Sequence, residues 1–306
     1  MKTTRALFLA ACGLAFISSA LPAQEQVKKE ASIPLPMGKI AFVTSADFGR
    51  AGNIFVMTGN VRVMTLAHQT RDPEFVAEGR QIIYAANDPN AFGIYLYDLA
   101  QQTNTQLIPN TNDVRGPAMS PDGRRIAFYQ SEENSSQIMV ADVDGTHLKQ
   151  LTEGPYFNWT PRWSPDGRQL LFETTRNETP ATSGGGGQRD IYVMDADGKN
   201  QTNLTPNSYG HHASWSPDGK HIAYMKHGAI FTMKSDGSAK KNISRSKVRD
   251  SEPAWSPDGQ WIAFTRTPED SNAMDIWIMK SDGSEQRPVT FNEGTTSSFS
   301  PSWSKE

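Results

Sequence analysis

The sequence predicts an all-β fold, a six-bladed β-propeller built from four-stranded antiparallel blades. Three observations lead to this fold class: a phrase of the type Trp-Ser-Pro-Asp-Gly recurs along the chain, a short apolar segment follows each copy, and successive copies lie 40 to 52 residues apart. This spacing is typical of a four-stranded propeller blade. Intact copies begin at Trp163, Trp215 and Trp255, a variant begins at Met119, and a degenerate copy spans 75–79.

Each repeat predicts four strands in order. Ser-Pro-Asp-Gly predicts a hairpin turn, because Pro presets φ, Asp bonds the local backbone and Gly tolerates the positive φ that closes the turn. The apolar run after the turn, such as 262–264, predicts a buried second strand. A third strand such as 276–279 follows, and a more polar segment such as 241–244 suits the outer edge of a blade.

The two ends of the repeat region predict how the ring closes. Residues 38–42 align with the second strand of later repeats, whereas 300–303, near the end of the chain, align with a first strand. We therefore expect the C-terminal strand to lie beside 40–43 and complete one composite blade, which gives six blades in all. A single blade exposes two apolar faces and needs neighbours to bury them. The side chains assigned to this packing are Trp163, Trp215, Trp255 and Trp303.

Residues 1–23 have the pattern of a secretory signal, with Lys2 and Arg5 ahead of an apolar stretch that ends in small residues. The stretch is shorter than the roughly 20 residues that a spanning helix needs, so we expect a periplasmic protein with no membrane span after cleavage. One alternative is an uncleaved membrane anchor. Another is a lipoprotein, because 9–12 resembles a lipobox with Cys12 as the lipidated residue. Residues 24–37 form a polar linker, and 38–306 form the propeller.

Composition limits the functions that fit the mature protein. Cys12 is the only cysteine, so the propeller contains no disulfide and no thiol nucleophile. Loss of Lys2 and Arg5 with the signal leaves 28 basic against 33 acidic residues, and this mildly acidic balance argues against a nucleic-acid partner. Neither Gly-x-Ser-x-Gly nor His-Glu-x-x-His occurs. The sequence thus favours a monomeric, non-catalytic protein without a resident cofactor.

The repeats resemble those of the TolB-like propellers. The family phrase Pro-x-Trp-Ser-Pro-Asp-Gly-x-x-Ile-Ala-Phe stands at 253–264, Ile-Tyr-Val-Met-Asp-x-Asp-Gly at 191–198, and the Leu-Thr strand at 204–205. The resemblance covers 38–306. It implies a protein of the bacterial envelope that binds another protein, such as a peptidoglycan-associated lipoprotein, through its propeller. TolB has an α/β domain before the propeller, whereas the linker takes that place here.

The loops that enter the inner strands of a propeller meet at one mouth of its channel. When the repeats are aligned on the tryptophan, the residues three to six positions before it should surround that mouth. They are Arg71, Asp72, Asp113, Arg115, Asn158, Trp159, His211, His212, Asp250 and Glu252. The TolB partner docks on the corresponding face, so the resemblance implies a protein or peptide site here. Ordinary loop residues and a small-molecule site are the alternatives.

Two metal sites are further alternatives at the same face. Imidazoles are good ligands for transition metals, and a histidine site would suit a metal-dependent saccharide lyase or hydrolase, as at the channel mouth of oligogalacturonate lyase. The candidate ligands are His211, His212 and His227. Carboxylates could instead bind calcium in the channel. The candidates for that site are Asp72, Asp113, Asp250 and Glu252.

Overall fold

The computed structural model describes residues 35–46, 52–59, 61–86, 93–109, 113–177, 188–269, 273–292 and 294–305, with the backbone alone for 61–69. The predicted secretory signal, Cys12 and most of the predicted linker lie outside these ranges. At the end of that linker, Leu35 is buried, and the Met37 carbonyl accepts a hydrogen bond from the indole of Trp303. Residues 35–37 therefore pack against the sheets that follow.

The described residues form 23 β-strands and one 3-10 turn, Ala77–Gly79. The strands are β1 Lys39–Ser45, β2 Gly52–Thr58, β3 Val61–Val76, β4 Gln81–Ala86, β5 Gly93–Asp98, β6 Thr103–Pro109, β7 Val114–Met119, β8 Arg125–Ser131, β9 Ser136–Asp142, β10 Lys149–Gln150, β11 Asn158–Trp163, β12 Gln169–Thr174, β13 Asp190–Asp195, β14 Thr202–Asn203, β15 Gly210–Trp215, β16 His221–Lys226, β17 Ala229–Lys234, β18 Lys241–Asn242, β19 Arg249–Trp255, β20 Trp261–Thr267, β21 Asp275–Lys280, β22 Arg287–Pro288 and β23 Ser297–Ser304. Across the described ranges, no helix has the length and apolar character needed to cross a bilayer.

The strands assemble into antiparallel sheets, as predicted. Four sheets have four strands each, namely β7–β10, β11–β14, β15–β18 and β19–β22, and a fifth has the order β23-β1-β2-β3-β4-β5-β6. In this larger sheet the 16-residue β3 pairs with β2 through its first part and with β4 through its last part. The expected position of the C-terminal strand is confirmed, because β23 pairs with β1 and Trp303 lies opposite Ile40.

The Ser-Pro-Asp-Gly segments are hairpin turns held by one repeated set of hydrogen bonds. In the copy after β11, Ser164 Oγ donates to Asp166 at 2.6 Å and accepts the backbone N–H of Gln169 at 2.9 Å. Gly167 adopts φ +69°, which the turn requires. The hydrogen bonds from Ser164 and from the backbone of Arg168 lower the pKa of Asp166. The turn chemistry read from the sequence is therefore confirmed.

Apolar clusters join each sheet to the next. Phe172 and Trp163 pack with Ile138 of the preceding sheet, and the last sheet packs through Ile276 against Phe42 of the first. Trp163, Trp215 and Trp303 are 7%, 8% and 8% exposed, as expected for packed side chains. Trp255 departs from this set, because it is only partly buried and its indole Nε1 lacks a hydrogen-bond partner among the described residues. It still packs against the apolar cluster of Ile262 and Phe264, so its predicted role in packing is confirmed.

Six strands, β3, β7, β11, β15, β19 and β23, contain a β-bulge at the same point of the repeat. The residue at this bulge has a positive φ, which is uncommon for residues other than glycine. These residues are Asp72 (φ 50°), Gly116 (58°), Thr160 (48°), His212 (49°), Glu252 (53°) and Ser300 (52°). Because a bulge inserts one residue, it interrupts the strict alternation of side chains along the strand.

Candidate functional site

The six bulged strands surround one cavity of about 350 Å³, which we call the central cavity. Residues of all six strands line it. Five of the bulge residues are among them, namely Asp72, Thr160, His212, Glu252 and Ser300. The repeated bulge therefore places a variable side chain from each of five strands at one cavity, a geometry that suits recognition of a ligand.

Glu74 carries the most perturbed charge of the central cavity. Its side chain is 26% exposed, and its Oε2 lies 4.0 Å from Arg162 Nε and has no hydrogen-bond partner among the described residues. Burial raises the pKa of Glu74 to about 7, although Arg162 and the N–H of Met119 act in the opposite direction. The cavity thus holds a carboxyl group that exchanges its proton near neutral pH.

A second cavity, of about 280 Å³, adjoins the central cavity and shares the five bulge residues that line it. We call this cavity the mouth. Its walls are Arg71, Asp72, Tyr129, Trp159, Thr160, Arg189, His212, Glu252, Phe299 and Ser300. The structure therefore brings together five of the residues predicted from the sequence. These are Arg71, Asp72, Trp159, His212 and Glu252.

Arg115 and Asp113 form a partly exposed ion pair beside the mouth. Arg115 Nε lies 2.7 Å from Asp113 Oδ1, and the two side chains are 30% and 43% exposed. Burial alone would lower the pKa of Arg115, but the bond to Asp113 and the nearby Tyr129 and Asp72 raise it. Arg115 is therefore a fixed positive charge next to two mouth residues.

Asn158 and Asp250 are corrections to the predicted mouth, because both side chains are fully buried. Asn158 Nδ2 donates to the carbonyl of Ser136 at 2.9 Å. Asp250 accepts two hydrogen bonds from the buried guanidinium of Arg266, at 2.6 and 2.9 Å. The bulge lies between these positions and the aligned tryptophan, so counting back from the tryptophan gives the wrong side of the strand. Both residues stabilise the fold and do not face a partner.

Glu173 is the residue of this site that sequence reasoning missed. It is 1% exposed on β12, and its carboxylate accepts hydrogen bonds from the His212 N–H at 2.6 Å and the Thr160 hydroxyl at 2.7 Å. Arg189 lies 3.3 Å away and His211 Nδ1 lies 3.7 Å away. Burial favours a higher pKa, yet the neighbouring His212, His211 and Arg189 hold the pKa of Glu173 well below its ordinary value. Glu173 thus remains charged and fixes several mouth residues.

A comparison between the repeats would have found Glu173. The other copies carry uncharged side chains at the same position of the second strand, so a buried charge there marks an exceptional site. Those residues are Val43, Ala85, Tyr129, Met225 and Thr265.

Glu252 joins two sheets through a similar set of hydrogen bonds, which we call a carboxylate link, as we do for the bonds of Glu173. The positions of the carboxylate and of the hydroxyl are exchanged between the two links. Here the bulge residue supplies the carboxylate, which accepts from the Thr265 hydroxyl at 2.7 Å and from the Ser300 N–H at 2.8 Å. In the first link the second strand supplies Glu173 and the bulge supplies Thr160. Each carboxylate therefore joins its own sheet to the bulge of the next one.

Trp159 is held between neighbours at the mouth. Its ring stacks on Phe157 with centroids 5.4 Å apart, and the guanidinium of Arg189 lies 4.1 Å from its centroid. Since Arg189 also contacts Glu173, the indole, the guanidinium and the carboxylate form one connected group. This arrangement presents a partly exposed aromatic and cationic surface of fixed geometry, which is typical of interface anchors.

The predicted metal ligands do not form one cluster. His211 and His212 have ring centroids 6.3 Å apart, and the exposed His227 packs on Tyr209 at 5.5 Å. Of the calcium candidates, Asp250 is bound to Arg266 and Asp113 to Arg115. Within the described ranges, no three His, Cys, Asp or Glu side chains come close enough to share a metal ion.

Comparison with known proteins identifies the family of the repeats. The family model described as the TolB beta propeller domain matches residues 37–306. A comparison with curated proteins gave no significant match.

Solved structures share the fold at low sequence identity. TolB from Acinetobacter baumannii has a TM-score of 0.72 at 21% identity, over 87% of this chain and 66% of that protein. A TolB-type protein from Agrobacterium tumefaciens has 0.65 at 18%, over 87% and 98%. Oligogalacturonate lyase from Vibrio parahaemolyticus has 0.52 at 16%, over 84% and 75%. This chain thus spans just under two thirds of the Acinetobacter protein. Since an enzyme also occurs among the similar structures, the fold alone does not decide the function.

Proposed function

Because the chain belongs to the TolB beta-propeller domain family, we propose that it is an exported, non-catalytic scaffold of the bacterial periplasm or envelope. It binds a protein or peptide at the mouth. The family relationship supports the class of function, and the fixed side chains of the mouth support the location.

The proposal includes a closed ring of six blades. Dividing the long strand β3 near Thr70, which pairs with both Gly52 and Ala86, separates the larger sheet into two four-stranded units. Together with the four other sheets this gives six units. The pairing of β23 with β1 and the apolar contact between the last and first sheets support closure. In a closed ring the central cavity is the channel and the mouth is one of its openings.

The connected group of Trp159, Arg189 and Glu173 is the observation that carries the binding site. A buried carboxylate fixes an arginine against an aromatic ring before any partner arrives, so little side-chain freedom is lost on binding. Arg71 adds a cationic group on the same cavity, and its buried Nε has no hydrogen-bond partner among the described residues. A partner that presents acidic and apolar side chains would complement this surface.

Affinity capture from an envelope extract of the source bacterium tests the proposal. The captured protein is identified by mass spectrometry, purified and titrated against the mature chain by calorimetry. We expect Arg115→Glu and Trp159→Ala each to weaken binding at least tenfold. The matched control is Arg168→Glu, which changes an 84% exposed arginine on the hairpin turn at the far end of β11. All variants must keep the melting temperature, and equal affinity in all three would overturn the proposed site.

A metal-dependent saccharide lyase or hydrolase is the competing function. The approach of the His211 imidazole to Glu173, with Nδ1 3.7 Å from the carboxylate, is the observation that favours it. Elemental analysis of the purified protein, with thermal melts in EDTA, calcium and manganese, separates the two functions. Stoichiometric transition metal that is lost in His211→Ala would favour the enzyme. Stoichiometric calcium would place an ion in the channel without choosing between them, and indifference to all three conditions would favour the scaffold.

A further inference from the structure

The junction between the β15–β18 sheet and the β19–β22 sheet differs from the corresponding junctions. At two junctions the indole N–H of the repeat tryptophan donates to a backbone carbonyl of the preceding sheet; these bonds are Trp163 to Ala118 at 3.1 Å and Trp215 to Arg162 at 3.3 Å. Trp303 donates instead to Met37, just before β1 of its own sheet, at 3.0 Å. Trp255 makes no such bond within the described part of the chain, and it is the most exposed of the four. Among the described residues, no hydrogen bond holds the buried Nε1 of this ring.

The residue at the position that covers the tryptophan differs between the junctions; at the junction of Trp215 it is Gln169, which is partly buried. Arg125, just before the apolar run of β8, places its guanidinium 4.6 Å from the centroid of Trp163. Trp261 holds the same position in β20 and packs in the apolar cluster of Trp303. At the junction of Trp255 this position is His221, whose side chain is exposed. An imidazole is shorter than a guanidinium arm and smaller than an indole, and the exposed His221 and the partly buried Trp255 line one cavity.

A cavity of about 390 Å³ lies where this cover is reduced, and we call it the Trp255 groove. It lies at the hairpin turns, at the opposite end of the inner strands from the mouth. Besides the indole, polar side chains dominate its lining; these include Asp218, His221, Thr232, Asp258 and Ser281. The groove thus combines an aromatic ring with side chains that donate and accept hydrogen bonds.

The polar groups of the groove narrow the class of ligand. Asp218 and Asp258 each use Oδ1 to accept from a turn serine at 2.6 Å, and the hydrogen bond from Ser216 lowers the pKa of Asp218. Toward a ligand, the two carboxylates can only accept hydrogen bonds, whereas the hydroxyls of Thr232 and Ser281 can donate as well as accept. A purely cationic or purely anionic ligand satisfies only one of these needs. A sugar has hydroxyls that do both and an apolar C–H face that packs on an aromatic ring.

We propose that the Trp255 groove binds a saccharide, independently of the partner that binds at the mouth. The ring of Trp255 is the platform, and the two aspartates accept hydrogen bonds from sugar hydroxyls. The proposal concerns binding alone and involves no chemical step.

Titration of the mature protein with cellotetraose, maltotetraose and chitotetraose tests this site. We expect at least one of them to bind, with a change in tryptophan fluorescence and a heat signal in calorimetry. His221→Arg reproduces the cover that Arg125 gives Trp163 and should abolish binding while the melting temperature is kept. Trp255→Phe should weaken binding at least tenfold, and Arg115→Glu beside the mouth should leave it unchanged.

The outcomes that overturn the proposal are distinct from those that overturn the mouth as a partner site. No binding of any of the three sugars at millimolar concentration, or full binding by His221→Arg, would rule out a saccharide in this groove. Binding of spermidine in place of the sugars would assign the groove to a cation. Because His221 is exposed, its substitution tests the groove even if Trp255→Phe fails to fold. Trp215→Phe, which loses an indole hydrogen bond, should lower the melting temperature more than Trp255→Phe does.

Discussion

Replacing Glu74 by Gln should stabilise the protein at alkaline pH and leave it nearly unchanged in acid. The carboxyl lies in the central cavity, and its pKa rises from an ordinary value of 4.5 to about 7 through burial. The native state therefore holds the proton more tightly than the unfolded state between these two values. Stability from this group is fully present below pH 4.5 and is lost as pH rises through 7.

The interval between the two pKa values sets the size of the effect. At about 1.4 kcal/mol per pH unit, this interval gives an upper value of about 3 kcal/mol for the free-energy cost of ionising Glu74 in the folded protein above pH 8. That pKa already includes the opposing effect of Arg162. Because the side chain is 26% exposed, screening by water reduces the cost of ionisation further, to roughly 2 kcal/mol. Glutamine has a similar shape but does not ionise, and it avoids this cost.

Urea denaturation of both proteins at pH 5 and pH 8.5 measures the effect. We expect Glu74→Gln to exceed the wild type in free energy of unfolding by about 2 kcal/mol at pH 8.5 and by less than about 1 kcal/mol at pH 5. Glu133→Gln, at an exposed position, is the control and should show no such dependence. Equal stability of wild type and Glu74→Gln at pH 8.5 would refute the reasoning.

Three further outcomes follow from the same contacts. Glu173→Gln should lower the free energy of unfolding by about 3 kcal/mol at pH 7, because it removes the charge that a buried ion pair requires; a loss below about 1 kcal/mol in urea denaturation would contradict this. The double variant Thr160→Glu with Glu173→Thr should recover at least half of that loss, because Glu252 and Thr265 already show the exchanged arrangement; a double variant no more stable than Glu173→Gln would show that the link is not exchangeable. Deleting 298–306 removes the strand that pairs with β1 and should abolish cooperative unfolding in calorimetry; an unchanged melting temperature would contradict closure by this strand.

Local patterns were sufficient to predict the four-stranded organisation. Ser164, Asp166 and Gly167 illustrate why, since the hydrogen bonds and the positive φ of that turn depend on residues within five positions of one another. The pairing of β23 with β1 was also predictable, because each end of the chain aligns with a different strand of the same repeat. These features depend on local backbone chemistry and on repetition.

The direction of individual side chains was harder to predict. The distance of Asp250 from Trp255 predicts a place at the mouth, but the bulge at Glu252 changes which side of the strand Asp250 faces. Glu173 was missed because its role depends on Arg189 and His212, which reach it only in the folded protein. The mouth was thus predicted as a region, whereas its central buried carboxylate required the structure.

Site-specific photo-crosslinking in the source bacterium tests the proposed partner site most directly. A photoreactive phenylalanine derivative replaces Tyr129 at the mouth in one variant and Arg168 at the distant turn in another. We expect position 129 to yield a crosslink to one envelope protein and position 168 to yield none to that protein. A crosslink to the same protein from position 168 alone, or none from position 129, would contradict binding at the mouth.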